Sequence, residues 1–518
     1  MILGILSVYS LLCTEEFTAN HTEELKVVKD PIFLSLLAVI LVIALLFYAV
    51  RFLLKEEKHR KRNIRILLIF TCVYVAVFGF AWAFLCKYQA MWDAQRVSWF
   101  ANFFANGTGE LTGNDIDYIA SYPHQLGLIA IEEFLYRCFG WENYKAFQFL
   151  NALGAAGIVY VGHKLAKEIS EREEPGVYYL ILMLGCWPLI IYVPFMYGEI
   201  LSILFSLLSM YMLMLYLKRK RKRYILFMAI VITIACLIRN NCYIVLAAMG
   251  CVLAVKTISD RKFVHILALL SCCFTFFVSH MILIYTYEQR LNTDLSQGMP
   301  SILWVAMGMR EGIEGKEAGW YNELAWNLFV DNAQRDQEKA KELAYEAIEE
   351  SIDYFKDNPS YLFDFYGRKI VSQWSEPTYA CQVETNHRKE DRLPFMDELY
   401  KGNFWKPFVR VMDVYQSLIY LGTLLFLLLL IRKRIPVEHL GLLITVIGGF
   451  IFYIFWEAKS RYVFPYFVMM IPMAACGWDL MLQKLSVQGQ KIAFWRQKQR
   501  KKRLAAGKPL KSIPVEKL

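Results

Sequence analysis

Residues 32–65 read IFLSLLAVILVIALLFYAVRFLLKEEKHRKRNIR. From 32 to 54 the run is apolar apart from Arg51, and the next eleven positions are dominated by lysine and arginine. About 20 apolar residues in a helix cross the roughly 30 Å of bilayer hydrocarbon. A Lys/Arg cluster directly after such a run marks the cytoplasmic end. One stretch therefore fixes both the class of the protein and the direction of its first crossing.

Composition agrees with that reading. The chain has 518 residues, of which 57% are hydrophobic and only 20% charged, too little polar surface for a soluble protein of this length. The net charge of +10 sits in short clusters that orient a membrane protein, so nucleic acid is not an expected partner. The 12 cysteines lie mostly in apolar runs and show neither metal-ligand spacing nor a disulfide framework. The first 13 residues are apolar but lack a basic start and a cleavage pattern, and read as a short interfacial or half-inserted segment.

The alternation continues outward from 32–65. A second crossing at 66–86 carries Asp93 to the outer face, where 87–143 form a loop. Within it HQLGLIAIEEFLYRCFG, with Glu132 and Glu133, reads as a helix along the interface. Further crossings follow at 144–166 and 177–194, and then one ending at Lys218–Arg223. Two short segments, 224–238 and 243–255, are broken by Arg239-Asn240-Asn241. Crossings at 264–286, 412–431 (ending in IRKR), 438–455 and 463–482 complete the set. The expected fold is an all-α polytopic membrane protein with about eleven spans, outer-face amphipathic helices and one large outer loop. Its parts are an N-terminal transmembrane module (1–286), a large extracytoplasmic loop (287–410), C-terminal transmembrane helices (411–482) and a basic cytoplasmic tail (483–518).

This topology puts Asp93, Glu199, Arg239, Glu457, Lys459 and Arg461 on one face. Carboxylates there can take protons, and Arg and Lys can clamp phosphate. A lipid-linked phosphate presents its headgroup at that depth. Each residue also has a structural reading. Asp93 can cap a helix beginning at Ala94, and Glu199 can be a first-turn acid favoured by the helix dipole. Lys459 and Arg461 can snorkel as interface anchors. Arg239 can pair only structurally, and His124 follows a proline in a loop, where a lone histidine is usually structural.

In order, the chain carries MWDAQ (91–95), YPHQLG (122–127), YGE (197–199), RNN (239–241), GWYN (319–322), KIVSQWSEP (369–377) and EAKSRYVFPY (457–466). This series resembles the GT-C superfamily of integral membrane glycosyltransferases. It lies close to the bacterial relatives of protein O-mannosyltransferases and of lipid A aminoarabinose transferase. The resemblance implies a GT-C-like fold and inverting transfer of a sugar from a polyprenyl-phosphate donor to an extracytoplasmic acceptor: a cell-envelope glycan, lipid or protein. It implies Asp93 and Glu199 as catalytic acids, and Arg239, Lys459 and Arg461 near the donor phosphate. The substrate pocket would draw on Trp92, Gln95, Tyr122, His124, Gln125, Asn240, Asn241, Glu457 and Tyr462. Trp320 and Trp374 would add stacking surfaces, although core packing suits either taken singly. The implied setting is the plasma membrane, with membrane lipids as partners and the active face extracytoplasmic. The chain departs from the family pattern in three ways: the first loop lacks the Asp-Glu pair that would support a divalent metal, an extra span precedes the usual first one, and no polar domain follows residue 482. No other cofactor is expected. Rival readings are a glycan polymerase or ligase, and a lipid-linked substrate transporter or flippase, although no internal repeat is present.

Overall fold

The computed structural model describes residues 2–18, 23–107, 111–140, 143–295, 297–313, 315–388, 390–430 and 435–505, with the last stretch from 486 described by its backbone alone. The IRKR segment at 431–434 and residues 506–518 of the basic tail lie outside the described residues.

Helix α1 (Ile2–Leu12) leads into a hairpin of β1 (Cys13–Phe17) and β2 (Leu25–Lys29). These strands pair antiparallel, with Glu15 opposite Val27. The N-terminal segment does not lie alone at an interface, because Ser10 Oγ meets Ser417 Oγ at 2.9 Å on a distant helix. Helices α2 (Ile32–Leu54) and α3 (Glu57–Leu85) follow, then α4 (Trp92–Asn106), α5 (Gly113–Ser121) and α6 (Leu126–Phe139). Thr112 and Asp115 form a reciprocal capping box at the start of α5. Glu133 on α6 is buried against Arg137 one turn on at 2.8 Å and against Arg290 at 2.9 Å, and the Arg290 pair pins this helix to a neighbour.

The chain continues through α7 (Tyr144–Ser170), α8 (Glu174–Leu184), α9 (Trp187–Ile191), α10 (Glu199–Arg219), α11 (Arg223–Ile238), α12 (Tyr243–Asp260) and α13 (Val264–Leu291). The run 177–194, expected as one crossing, is split between α8 and α9. Gly185 and Cys186 separate them and Pro188 sits in the first turn of α9, where its missing N–H costs nothing. The large polar segment then folds as α14 (Ile302–Gly308), α15 (Leu324–Trp326), α16 (Gln337–Asp357), α17 (Pro359–Trp374), α18 (Cys381–Glu384) and α19 (Pro394–Tyr400). Helix α16 is capped by Asp336 and buries a small-residue stripe, Ala340, Ala344, Ala347 and Ser351, at the four-residue and three-residue spacing of one helical face. Its cores are small, as the scarcity of apolar runs there implied.

The chain closes with α20 (Trp405–Leu430), α21 (Gly441–Phe455) and α22 (Ser460–Ala505). Among the described residues seven helices are long and apolar enough to cross a membrane: α2, α3, α10, α12 with its leading turn, α13, α20 and residues 460–485 of α22. The protein is an all-α polytopic membrane protein. Of the other four expected spans, the helices at 174–184, 223–238 and 441–455 are short apolar helices, and α7 is long but more polar. The seven are unequal in their surroundings. Residues 460–485 are 94% buried, whereas only 11% of the windows in α2 and α13 are. Thus α22 is the central strut and α2 and α13 turn apolar side chains such as Phe33, Leu45, Phe274 and Phe277 outward, where only lipid can cover them. Where α20 meets α22, a Cβ added at Gly477 would fall 2.0 Å from the Gly422 carbonyl oxygen. Only glycine permits that approach, the usual way helices pack closely in a bilayer.

Candidate active site

The charges singled out in the sequence sit at helix ends that meet at one end of the bundle. Helix α4 opens at Trp92 with Met91 as its N-cap, so Asp93 occupies the first turn and is not the cap. Its exposed carboxylate accepts hydrogen bonds from the Tyr118 hydroxyl at 2.7 Å and from the Tyr197 hydroxyl at 3.4 Å. Gln125, delivered by the turn after Tyr122, donates to both tyrosine oxygens at 3.1 Å. Asp93 is the nearer acceptor for the Tyr118 O–H, with Gln125 Oε1 a second at 3.2 Å.

On the far side of Tyr197 the chain turns through Gly198, whose φ of +86° is in the left-handed region. A Cβ there would also lie 2.7 Å from Ile238 Cγ2, so both backbone and packing demand glycine. Glu199 follows as the first residue of α10, 3% exposed, at the helix end that favours a carboxylate. Helix α11 stops at Ile238. Arg239 is extended (φ −149°, ψ 130°), and one 3-10 turn, Asn240–Cys242, starts α12. This is the break that Arg-Asn-Asn signalled. Arg239 Nη1 donates to Glu199 Oε1 at 2.5 Å and to the Tyr197 carbonyl at 2.9 Å. Arg461, at the start of α22, lies 3.7 Å by Nε from Glu199 and 2.9 Å by Nη1 from Glu384. Both guanidinium groups stand over the Tyr197 ring, 5.0 and 5.1 Å from its centroid, an arrangement stabilised by the ring's negative face. Tyr197 thus touches Asp93 with its hydroxyl and the two cations with its ring.

Tyr197 and the two guanidinium groups line a cavity of about 450 Å³, and Glu199 is not in its lining. Among the residues expected from the sequence, His124, Gln125, Arg239, Asn240, Asn241, Glu457, Arg461 and Tyr462 line it. Asp93 is outside the lining and is tied to it by the Tyr197 hydroxyl. Burial pushes His124 down to about 4, leaving it neutral at pH 7. Burial pushes the Glu457 carboxyl up to about 7, against the opposing pull of Lys459, and the Tyr462 hydroxyl donates to it at 3.4 Å. A wall absent from the sequence expectation is formed by Trp304 and Trp456, stacked at 5.7 Å and 3°. Beyond it, an apolar groove of about 500 Å³ runs between α12 and α21, past Ala248, Cys251, Ile444 and Ile451. Groove and cavity share Ile244, Phe452 and Trp456.

Other expected site residues are placed elsewhere. Lys459 does not line the cavity; its ammonium is held by Glu384 at 2.7 Å and by Glu23, and Glu23 also pairs with Lys316 at 3.1 Å. Burial drives the Glu384 carboxyl upward, but Arg461 and then Lys459 more than offset this and hold it below the usual range. Trp320 is 1% exposed, donates to Ser372 Oγ at 3.0 Å, and packs with Phe17 and Leu25 of the N-terminal hairpin. Trp374 is equally buried between Phe450 and Tyr466. Neither indole has a face free to stack on a ligand, because each is more valuable to the core as buried area. Tyr122 stands behind the cavity wall against Trp304 and Trp326. Gln95 and Trp92 are exposed on α4 outside the cavity lining.

Tyr118, Tyr197, Trp304, Trp456, Glu23 and Glu384 were not in the expected set. Tyr197 and Trp456 carried a signal, since Tyr197 opens the YGE motif and Trp456 adjoins EAKSRYVFPY. Among the described residues no three His, Cys, Asp or Glu side chains group as a metal site would require. All 12 cysteines are free thiols. Chemically, the arrangement sets a proton acceptor beside a chamber and two guanidinium groups on its wall, with an apolar channel leading in. Comparison of the chain with protein-family models gives no match, and comparison with curated proteins gives none either.

Proposed function

We propose that this chain is an integral membrane glycosyltransferase that moves a sugar from a polyprenyl-phosphate donor to an extracytoplasmic acceptor, with inversion at the sugar carbon. The observation that carries the reading is the continuity of a cavity walled in part by two cations with an apolar groove between two helices. An amphiphile with one long apolar chain and an anionic head fits both at once. In this reading the polyprenyl chain lies along the groove past Cys251 and Ile451, and the phosphate reaches Arg239 and Arg461. The acceptor hydroxyl attacks the anomeric carbon and its proton passes to Asp93. The bond from that carbon to phosphate oxygen breaks, and polyprenyl phosphate leaves against the two guanidinium groups. Preorganised cations at the oxygen where charge develops are the efficient form of this catalysis. The motif series resembling GT-C enzymes supports the same reading, and so does the clustering of charges at one end of the bundle. The full topology proposed is about eleven crossings of the plasma membrane, with this end extracytoplasmic and residues 287–410 covering it.

A transporter or flippase of the same lipid is the second reading, favoured by the broken hairpin at Arg239, a feature transporters use at their sites. A transfer assay in membranes with a panel of polyprenyl-phosphate and polyprenyl-diphosphate sugars separates the readings. Transfer from a monophosphate donor is the expected result. Transfer from diphosphate donors alone would make the protein a polymerase or ligase, and lipid movement without a new glycosidic bond would make it a transporter.

The cavity carboxyl gives a pH dependence with a definite sign. Ionisation of Glu457 as pH rises through about 7 adds a negative charge beside the site of an anionic donor. Across several ångströms at an effective dielectric near 20 the penalty is on the order of 1–2 kcal/mol, or about tenfold in affinity. Donor KM is expected to rise between pH 6 and 8, and Glu457→Gln to flatten the profile. Linkage runs in the same direction. A carboxyl raised above its unfolded value of 4.5 contributes stability that is complete below that value and is lost as pH rises through about 7. A profile unchanged by Glu457→Gln would remove this residue from the cavity's electrostatics.

A further inference from the structure

We infer that Trp92 is a stacking platform for a carbohydrate acceptor, so that the substrate on the Asp93 side of the cavity is a glycan and not a peptide hydroxyl. The inference rests on the transferase reading and deepens it.

The lining of the cavity carries both guanidinium groups and Trp456, which it shares with the groove, whereas Asp93 lies outside the lining and is joined to it through the Tyr197 hydroxyl. Trp92 immediately precedes Asp93 and its side chain is 56% exposed. Its backbone has a φ of +50°, in the left-handed region that bulky residues avoid. Such strain persists where the surroundings enforce it, and it collects at sites that must present a group in one orientation. The surroundings here do enforce it. The indole stands perpendicular (85°) to the His387 ring at 4.3 Å, and the His387 carbonyl is itself fixed by the Gln89 N–H at 2.9 Å. The result is a large aromatic ring clamped at one position with more than half of its surface open, one residue from a carboxylate already oriented by two tyrosines. A pyranose needs that combination. Its C–H face settles on the negative face of an aromatic ring, while its hydroxyls bond to a nearby carboxylate. A seryl or threonyl peptide offers no such face.

An interfacial anchor is the competing role for an exposed tryptophan near a helix end, but any large apolar side chain in relaxed backbone would serve that purpose. The test therefore compares Trp92→Phe, Trp92→Leu and Trp92→Ala in the purified full-length chain. Saturation-transfer NMR would follow the binding of a neutral tetrasaccharide and, separately, of a Ser/Thr-rich peptide. Expected are tetrasaccharide binding by the wild type and by Trp92→Phe, and a loss of about tenfold in affinity for the leucine and alanine variants, the weight of one aromatic contact. No binding of the peptide is expected. Where transfer is measurable, acceptor KM is expected to follow the same order while donor KM stays constant. Leucine performing as well as tryptophan, peptide binding in place of saccharide, or no saccharide binding to the wild type would each overturn the inference. Saccharide binding that depends on Trp92 in a protein with no transfer activity would overturn the transferase reading instead.

Discussion

Replacing Asp93 by asparagine is expected to lower sugar transfer by about 10²–10⁴-fold at matched expression, the usual weight of a positioned general base, with little change in donor KM or thermal stability. The three expectations have separate causes. The amide is nearly the same size as the carboxylate and its oxygen can still accept the Tyr118 hydroxyl, at 2.7 Å in the wild type. What it cannot do is take a proton from an acceptor hydroxyl, so the loss falls on kcat. Donor affinity rests on Arg239 and Arg461, which Asp93 meets through Tyr197. Stability should hold because Asp93 is exposed and no buried charge is left without a partner. Tyr118→Phe provides the graded control. Losing one hydrogen bond to a charged group is worth about 1.5–3 kcal/mol, which predicts a smaller fall of about tenfold or more. Transfer that survives Asp93→Asn with wild-type kcat would move the proton acceptor elsewhere, to Glu457 as the nearest buried carboxyl on the cavity wall.

The residues legible in the sequence were those whose chemistry clashes with their surroundings. Asp93, Glu199, Arg239 and Arg461 stand out because each is a charge beside an apolar run, where an ionisable group is costly without a partner or a task. The break at Arg239 was visible for the same reason, since a guanidinium cannot sit in mid-helix against lipid. Glu384 and Glu23 were not visible. Both lie in polar stretches where a carboxylate is unremarked, and the Lys459–Glu23 contact joins positions 436 apart, a pairing that only tertiary packing creates. Lys459 was read as a phosphate clamp for want of those two partners. Trp320 and Trp374 took the core-packing role that suits either taken singly. An indole in a polar loop reads the same whether it faces a ligand or fills a small core, and here burial won, with Trp320 receiving Phe17 from an N-terminal hairpin 300 residues away. The fold was legible from hydropathy down to single helices, except where a run of apolar residues hid a break. Gly185-Cys186-Trp187-Pro188 is as apolar as its flanks, so 177–194 looked continuous although proline cannot extend α8.

The second large effect concerns Glu199, and it separates folding from function. Glu199 is 3% exposed and is the carboxylate shared by Arg239 at 2.5 Å and Arg461 at 3.7 Å. Glu199→Ala leaves two guanidinium groups facing each other across Tyr197, with Glu384 the remaining carboxylate paired to either of them among the described residues. Breaking a buried ion pair in this way is expected to cost about 3–5 kcal/mol, seen as a lower unfolding temperature in detergent and reduced yield from membranes. Replacing the pair together, as Glu199→Gln with Arg239→Met, removes the orphaned charge, because a buried pair exchanged for neutral groups of similar volume is often nearly neutral in stability. The double variant should therefore recover most of the unfolding temperature. Transfer should not recover with it, because the cavity then holds one guanidinium where the donor phosphate met two, and an ionic hydrogen bond of about 1.5–3 kcal/mol is gone. Measured against its own single variants, Glu199→Gln and Arg239→Met, the double gives a coupling that is meaningful because the two side chains are in direct contact. If the double variant folds and transfers at the wild-type rate, Arg239 is a counterion for Glu199 and nothing more, and the phosphate site contracts to Arg461. If Glu199→Ala unfolds at the wild-type temperature, solvent reaches these charges and the cavity is wetter than its burial implies.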